Sequence, residues 1–221
     1  MTEYRQQQSR RIALIHALAH SVPAIRQAFD AHWPGCRLMN LLDDSLSADL
    51  AATPGGLDAA MFRRFTTLAD YAVATGADAI LFTCSAFGPC IDAVKQRHPA
   101  LPVLKPNEAM IEQAVGLATR IGLLATFEPT LRSMPAEFPA GVPLELELAD
   151  GALAALDAGD GEGHDRAAVA AAQRLQARGC GAIALAQFSL ARAATAIRAA
   201  VPLPVLTTPD SAVLAIKQRL A

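Results

Sequence analysis

The sequence contains an internal duplication, which constrains its fold more than any other feature. Four landmark segments recur in the same order and at a nearly constant offset along the 221 residues. The matched segments are 11–16 with 120–125, 39–43 with 146–150, 76–87 with 179–190, and 101–108 with 203–210. Recurrence of this kind indicates two structural repeats built on the same plan.

Each half alternates short, unbroken apolar runs with alanine-rich stretches. Runs such as 12–15 and 79–82 are typical of parallel strands that are buried on both faces. Stretches such as 59–75 and 164–178 predict helices, each followed by a glycine that stops the helix. The alternation predicts an α/β fold with two pseudo-twofold-related parallel-sheet halves, which face each other across a central cleft.

The duplication also predicts how the chain divides. We expect the first half to comprise residues 1–108 plus 209–221, and the second half to comprise residues 109–208. The stretch 157–164, rich in glycine and aspartate, predicts a mobile surface loop.

Composition and charge exclude several classes of protein. Hydrophobic residues make up 52% of the chain and charged residues 18%, which is incompatible with intrinsic disorder. A net charge of -2 gives no reason to expect a nucleic acid or an anionic membrane as partner. No uncharged stretch reaches the ~18 residues that a membrane-spanning helix needs. The polar N-terminal segment lacks the apolar core of a signal peptide, and the four cysteines form no CxxC motif, so we expect a cytoplasmic protein with reduced thiols.

Cys84 is the main candidate for a catalytic residue. It follows a buried apolar run and precedes a helix that is expected to begin between Ser85 and Pro89. A thiol at a helix N-terminus is expected to have a lowered pKa, because the helix dipole and the free amides favour the thiolate. Thiolate is the form that attacks carbon or abstracts a proton. The alternative role is that of a small buried hydrophobic residue, as for most free cysteines.

Other polar residues follow predicted strands and are candidates for substrate binding. Ser85 and the amides beside it can hold a carboxylate or cap the helix, and Thr126 has the same two interpretations. His16 ends an apolar strand, where it can act as an acid, a base, a carboxylate ligand or a hydrogen-bonded structural group. Gln187 and Ser189 follow the corresponding strand of the second half.

The remaining motifs point away from metals and nucleotides. Cys36 and Cys180 precede strands and Cys90 falls within a predicted helix, so packing is their expected role. No cluster of His, Cys and Asp has the spacing of a metal site, and no GxGxxG or GxxxxGK[ST] motif is present.

As a whole, the pattern resembles the aspartate/glutamate racemase superfamily, which includes hydantoin racemases, maleate isomerases and arylmalonate decarboxylases. The resemblance covers nearly the whole chain and rests on the duplication and on three segments. These segments are Ile80-Leu-Phe-Thr-Cys84-Ser85, Pro102-Val-Leu and Ile121-Gly-Leu-Leu-Ala-Thr126.

The resemblance implies a cofactor-independent enzyme that acts at the α-carbon of a small carboxylate, with two cysteines on opposite faces of that carbon. Cys84 would be the first thiol, with Ser85 and Thr126 in the carboxylate cradle. The frequent dimers of the superfamily imply a homodimer.

The chain departs from the superfamily at the second cysteine. Gln187 occupies the matching position, and glutamine is neither an acid nor a base. Racemisation would then need His16 or another group on the opposite face. One-thiol chemistry by Cys84, either cis-trans isomerisation or decarboxylation, is the alternative, with Gln187 binding substrate. Two hypotheses without turnover are a protein that binds small acids and a redox sensor that pairs Cys84 with Cys90.

Overall fold

The computed structural model describes residues 10–19, 21–118 and 120–221. The predicted absence of a signal peptide rests on the polar N-terminal segment, and the predicted first half begins there. Residues 1–9 of this segment lie outside the described residues. Among the described residues, no helix is long and apolar enough to cross a membrane.

Two four-stranded parallel sheets form the framework of the described chain. The strands of the first sheet are β1 (Arg11–His16), β2 (Arg37–Leu42), β3 (Ala79–Phe82) and β4 (Val103–Leu104). Those of the second sheet are β5 (Ile121–Ala125), β6 (Leu144–Leu148), β7 (Ala182–Leu185) and β8 (Val205–Thr207). The strand orders, β2-β1-β3-β4 and β6-β5-β7-β8, are the same in both sheets, which confirms the predicted α/β fold and its repeat.

Helices connect the strands and cover both faces of each sheet. The α-helices are α1 (Ser21–His32), α2 (Ser45–Ala52), α3 (Ala59–Ala74), α4 (Gly88–Arg97), α5 (Glu108–Leu117), α6 (Glu128–Ser133), α7 (Ala152–Asp157), α8 (Gly161–Ala177), α9 (Ala194–Ala200) and α10 (Thr208–Arg219). Short 3-10 helices span Ser85–Phe87, Met134–Glu137 and Phe188–Ala193.

Alternate side chains of the central strands enter opposite cores. On one face of the first sheet, Ile80 and Phe82 pack with residues of α3 and α4. On the other face, Ala79 and Leu81 pack with residues of α1 and α10. Every residue of β3 and β7 is buried, which explains why these segments read as continuous apolar runs.

The C-terminal helix α10 packs on the first half of the chain. Its Ala212, Val213 and Ile216 share a core cluster with Ile12 and Leu14 of β1. Helix α10 also packs against α1 and α5. The exact boundaries of the two halves, at 108/109 and 208/209, stay a prediction.

The predicted mobile loop at 157–164 is wrong for most of its length. Helix α8 already begins at Gly161, because the Asp160 side chain accepts a hydrogen bond from the Gly163 backbone N–H at 2.7 Å. Gly159, with φ of 78°, makes the sharp turn after α7. Only three residues, 158–160, therefore separate the two helices.

Gly122 of β5 gives a test of the packing between sheet and helix. A Cβ at position 122 would lie 2.9 Å from Leu175 Cδ1 and 3.1 Å from Leu175 Cβ. We expect Gly122→Ala to lower the free energy of unfolding by about 1–3 kcal/mol, as overpacking of a core does. Urea denaturation followed by circular dichroism measures the change. The matched control is Gly35→Ala, where nothing lies within 4 Å of the added atom. An equal effect in both variants would contradict this packing.

Candidate active site

A cleft of about 430 Å³ lies where the carboxyl ends of strands from both sheets meet. The first half contributes Thr83, Cys84, Ser85 and Asn107 to its polar lining, and the second half contributes Gln187 and Ser189. Ser21, Thr130 and Asp157 also line the cleft. Apolar residues complete the wall: Leu18, Pro106, Leu153, Leu156, Ala186 and Phe188. The cleft thus brings together Cys84 and three of the substrate-binding candidates, Ser85, Gln187 and Ser189.

Cys84 and Gln187 hold equivalent positions in the two repeats. Ile15 pairs with Phe82 in the first sheet, and Leu124 pairs with Leu185 in the second. Cys84 lies two residues after Phe82, and Gln187 lies two residues after Leu185. Both have extended backbone, with φ/ψ of -129°/120° for Cys84 and -140°/147° for Gln187, and both precede a 3-10 helix.

An aromatic stack fixes both ends of the segment that carries Cys84. Phe82 and Phe87 flank this segment, and both rings pack on Phe65 of α3, with ring centroids 5.3 Å and 4.7 Å away. Phe82, Phe87 and Phe65 are almost completely buried. Cys84 is therefore held on a rigid base at the entrance to α4, as the sequence predicted for the start of that helix.

The expected lowering of the Cys84 pKa is wrong. Burial raises the pKa of the Cys84 thiol, and hydrogen bonds from the Ala86 backbone N–H and the Ser47 hydroxyl oppose this effect without reversing it. The helix-terminal amide predicted from sequence is present, but desolvation has the larger effect. At neutral pH the resting form of Cys84 is accordingly the protonated thiol.

His16 lies behind the cleft and supports it. The imidazole is fully buried, and Asn40 Oδ1 accepts from Nε2 at 3.0 Å. With the proton on Nε2, Nδ1 accepts from the Thr83 hydroxyl at 2.9 Å. Burial lowers the pKa of His16, so the neutral ring is favoured. His16 thereby orients Thr83, the neighbour of Cys84, and its direct contact with a substrate stays a prediction.

Thr126 holds Gln187 in place. The Gln187 Oε1 atom accepts from the Thr126 backbone N–H at 2.6 Å and from the Thr126 hydroxyl at 3.0 Å. Because an amide N–H can only donate, the oxygen of Gln187 must face Thr126, and its two Nε2–H donors face away. The predicted carboxylate cradle at Thr126 stays a prediction, since both Thr126 donors are engaged here.

Two further polar residues, Ser47 and Asn107, lie next to the site. Ser47 of α2 donates its hydroxyl proton to the Ala17 carbonyl at 3.3 Å and also lowers the pKa of Cys84. Asn107, at the start of α5, is only 3% exposed and donates from Nδ2 to both carboxylate oxygens of Glu137, each at 3.3 Å. Asn107 follows a predicted strand end and is expected at this edge of the sheet from the sequence, whereas Ser47 and Glu137 have no sequence signal.

A second cavity of about 660 Å³ adjoins the first through shared walls. Ser85, Pro106 and Thr130 line both cavities. The second cavity also holds the Lys105–Asp92 ion pair, with Nζ and Oδ2 2.7 Å apart. Phe127 lies on its wall with 48% of its surface exposed, so the cavity has an apolar side open to solvent.

The other thiols lie away from both cavities. Cys90 and Cys180 are buried, and burial raises the pKa of Cys36 and of Cys90 to about 11. In the described part of the chain, no group of three or more His, Cys, Asp and Glu side chains is arranged to hold a metal ion.

These features define a class: duplicated parallel α/β proteins with a single strand-end thiol in the cleft between the repeats. The family model of the Asp/Glu/Hydantoin racemases matches residues 12–216, and the chain belongs to this family. No curated protein sequence matches the chain significantly.

Solved structures of low sequence identity share this fold. An allantoin racemase from Klebsiella pneumoniae is 21% identical, with a TM-score of 0.73 over 95% of this chain and 87% of that chain. An aspartate racemase homologue from Pyrococcus horikoshii OT3 is 13% identical, with a TM-score of 0.74 over 96% and 99%. An unliganded arylmalonate decarboxylase is 14% identical, with a TM-score of 0.63 over 96% and 93%.

The surroundings of Cys84 predict its reactivity toward iodoacetamide. We expect the alkylation rate of Cys84 to rise with pH. It should reach half its maximum at a pH above the pKa of an ordinary thiol, because burial raises the pKa of Cys84. The Ser47 hydroxyl donates to the Ala17 carbonyl at 3.3 Å and can turn to the Cys84 thiolate, whose pKa it lowers. Ser47→Ala removes this donor and should slow alkylation at pH 8 by up to about tenfold, since one pKa unit changes the thiolate fraction tenfold. Peptide mass spectrometry measures the rate at Cys84 alone. Ser45→Ala, in the same helix but bonded to Asp43 instead, is the matched control. An unchanged rate in Ser47→Ala would contradict the assigned contact.

Proposed function

We propose that the protein catalyses cofactor-independent chemistry at the α-carbon of a small carboxylate, with Cys84 as its only proton-transfer group. One observation carries the proposal: the position equivalent to Cys84 in the second repeat is Gln187, whose oxygen is engaged by Thr126. A glutamine cannot exchange a proton at neutral pH, but it can hold a substrate.

The Gln187 amide is suited to binding a substrate carboxylate. Its Nε2–H donors point away from Thr126, and Gln187 lines the same cleft as Cys84. Ser85 and Ser189 add hydroxyl donors from the two repeats. Donors of this kind stabilise the negative charge that develops on the carboxylate oxygens when the α-carbon becomes carbanionic.

Proton transfer by Cys84 takes place on one face of the α-carbon. In the exchange direction, the Cys84 thiol first loses its proton to water. The thiolate then takes the α-proton, and the C–H electron pair moves into the enediolate held by Gln187. The same thiol then returns a proton, or a deuteron acquired from solvent, to that face. This sequence exchanges the α-hydrogen and retains configuration.

Decarboxylation is a second candidate, favoured by the raised pKa of Cys84. For a substrate with two carboxylates on one carbon, the C–C bond breaks, CO₂ leaves and the electron pair remains on the α-carbon. The Cys84 thiol donates its proton to that carbon, and the resulting thiolate takes a proton from water. The resting thiol is the form that this reaction requires. An arylmalonate decarboxylase is among the structures that share the fold.

The first test is proton NMR in deuterium oxide with amino acids, hydantoins, maleate and substituted malonates. We expect α-deuteration or loss of CO₂ with one class of acid, and a ~10²–10⁴-fold slower reaction in Cys84→Ala, because the proton-transfer group is lost. Cys90→Ala is the matched control, since Cys90 lies outside the cleft. Equal rates in wild type and Cys84→Ala would remove Cys84 from the mechanism. Binding without any reaction would instead favour a protein that only binds small acids.

Restoring a second thiol tests the role of position 187. We expect Gln187→Cys to gain inversion of configuration, since a thiol would then stand at the equivalent position of each repeat. Chiral chromatography of a single enantiomer measures inversion, and Gln187→Ser serves as the control without an acid–base group. Inversion as fast in wild type as in Gln187→Cys would show that another residue already serves the opposite face.

A further inference from the structure

The two repeats hold their strand-end residues in different ways. In the first repeat, three stacked aromatic rings support the segment that carries Cys84: Phe65, Phe82 and Phe87. The residues that match Phe82 and Phe87 in the second repeat are Leu185 and Leu190, so neither place has a ring. Residues 187–193, which we call the Gln187 segment, therefore need another anchor.

Arg192 ties the Gln187 segment to helix α8. Its guanidinium donates to both carboxylate oxygens of Asp165, from Nε to Oδ1 at 2.9 Å and from Nη2 to Oδ2 at 3.3 Å. Burial acts to raise the pKa of Asp165, but hydrogen bonds from Arg192 and His164 and their charges outweigh this effect and lower it. A two-pronged pair of this kind fixes orientation as well as distance.

The first turn of α8 leaves room for this pair. A Cβ at position 161 would lie 2.7 Å from Arg192 Cζ, so a side chain there would displace the guanidinium. Glycine disfavours a helix, and its presence at position 161 is explained by the close approach of Arg192.

His164 holds Asp165 from the other side. Its imidazole is fully buried, and Nδ1 lies 2.8 Å from Asp165 Oδ1. Because a carboxylate only accepts, Nδ1 carries a proton and donates it. Among the described residues, His164 Nε2 is the only buried side-chain nitrogen or oxygen without a hydrogen-bond partner. An apolar side chain would avoid this unpaired atom, so packing alone does not explain a histidine here, whereas the bond to Asp165 does.

The anchored helix is continuous with the lining of the cleft. The Leu190 backbone N–H donates to the Gln187 carbonyl at 3.1 Å, so Gln187 and the 3-10 helix after it form one turn. Gln187 and Ser189 line the cleft from this turn. Leu190 and Ala193 share a core cluster with Ala168 of α8, but apolar contacts are not directional. Among the contacts described here, the directional one with α8 is the Arg192 pair.

We propose that His164, Asp165 and Arg192 are positioning residues, which lock the Gln187 segment onto α8 and so keep Gln187 and Ser189 in place at the cleft. The inference rests on the proposed function where it concerns substrate, and it deepens that function. The second repeat thus uses a buried histidine and an ion pair where the first repeat uses aromatic rings.

Hydrogen exchange followed by NMR tests the anchor without any ligand. In Asp165→Ala, the Leu190 backbone amide should exchange about tenfold faster, as expected when hydrogen bonds to a charged group are lost. The Thr83 amide, bonded to the Ile15 carbonyl in the first sheet, should keep its wild-type rate. Arg166→Gln, which removes a surface ion pair with Glu162 on the same helix, is the matched control and should change neither rate.

Two substitutions of His164 test its donor. His164→Leu should also speed exchange at Leu190, though less, because Arg192 still pairs with Asp165. His164→Asn should restore the wild-type rate, since its amide can donate to Asp165 from about the same place. Equal rates in the two variants would remove His164 from the anchor.

Protection of Cys84 from iodoacetamide tests the effect on the cleft. Phenylmalonate, maleate and aspartate are the probes, and the concentration that halves the alkylation rate measures binding. In Asp165→Ala this concentration should rise about tenfold for a protecting acid, since hydrogen bonds to its carboxylate are misplaced. The alkylation rate without acid should stay at the wild-type value, whereas a general loss of structure would change both.

The outcomes separate this inference from the proposed function. An unchanged rate at Leu190 in Asp165→Ala, or equal acceleration at Leu190 and Thr83, overturns the anchor. Faster exchange at Leu190 with an unchanged protective concentration overturns the positioning of Gln187 and leaves the chemistry of Cys84 intact. Faster exchange at Leu190 alone, with no acid protecting the wild type, supports the anchor and counts against the proposed function.

Discussion

The buried central strands β3 and β7 are the constraint on which the site depends. Helices cover both faces of each sheet, so these strands are apolar throughout and cannot shift register without exposing or misplacing their side chains. Their carboxyl ends therefore carry Cys84 and Gln187 at fixed, equivalent positions beside one cleft. The repeat gives Cys84 and Gln187 equivalent positions, and we propose that the chemistry depends on the difference between their side chains.

The two repeats share one backbone framework, but side-chain hydrogen bonds around the cleft make the two sides of the site different. Thr126 fixes the Gln187 oxygen, Glu137 fixes the Asn107 nitrogen, and His16 fixes Thr83 beside the thiol. Each of these supporting residues determines which atom its neighbour can present to a ligand. Preorganised dipoles of this kind need no rearrangement when charge develops during a reaction. We therefore propose that Cys84 has the acid–base role and that the Gln187 amide recognises the substrate.

The sequence predicted the strands, their order of recurrence and the equivalence of Cys84 with Gln187, because apolar runs and a duplication are local patterns. Predictions from the sequence failed where the local structure or the pKa depends on competing effects, several of them long-range. The helix-terminal amide at Cys84 was foreseen, but the extent of its burial, which raises the pKa, depends on tertiary packing. The predicted loop at 157–164 was wrong because an Asp160 cap outweighs the low helix propensity of two glycines. The Asn107–Glu137 contact joins residues 30 positions apart and leaves no local pattern.

With Cys84 as the proton-transfer group, only one face of the α-carbon should exchange protons. The most direct measurement starts from a single enantiomer of the substrate deuterated at its α-carbon and dissolved in ordinary water. Mass spectrometry and chiral chromatography then follow the loss of label and the inversion of configuration in the same samples. We expect the label to be lost while the configuration is retained. Inversion that keeps pace with the loss of label would contradict it, because protons would then reach both faces.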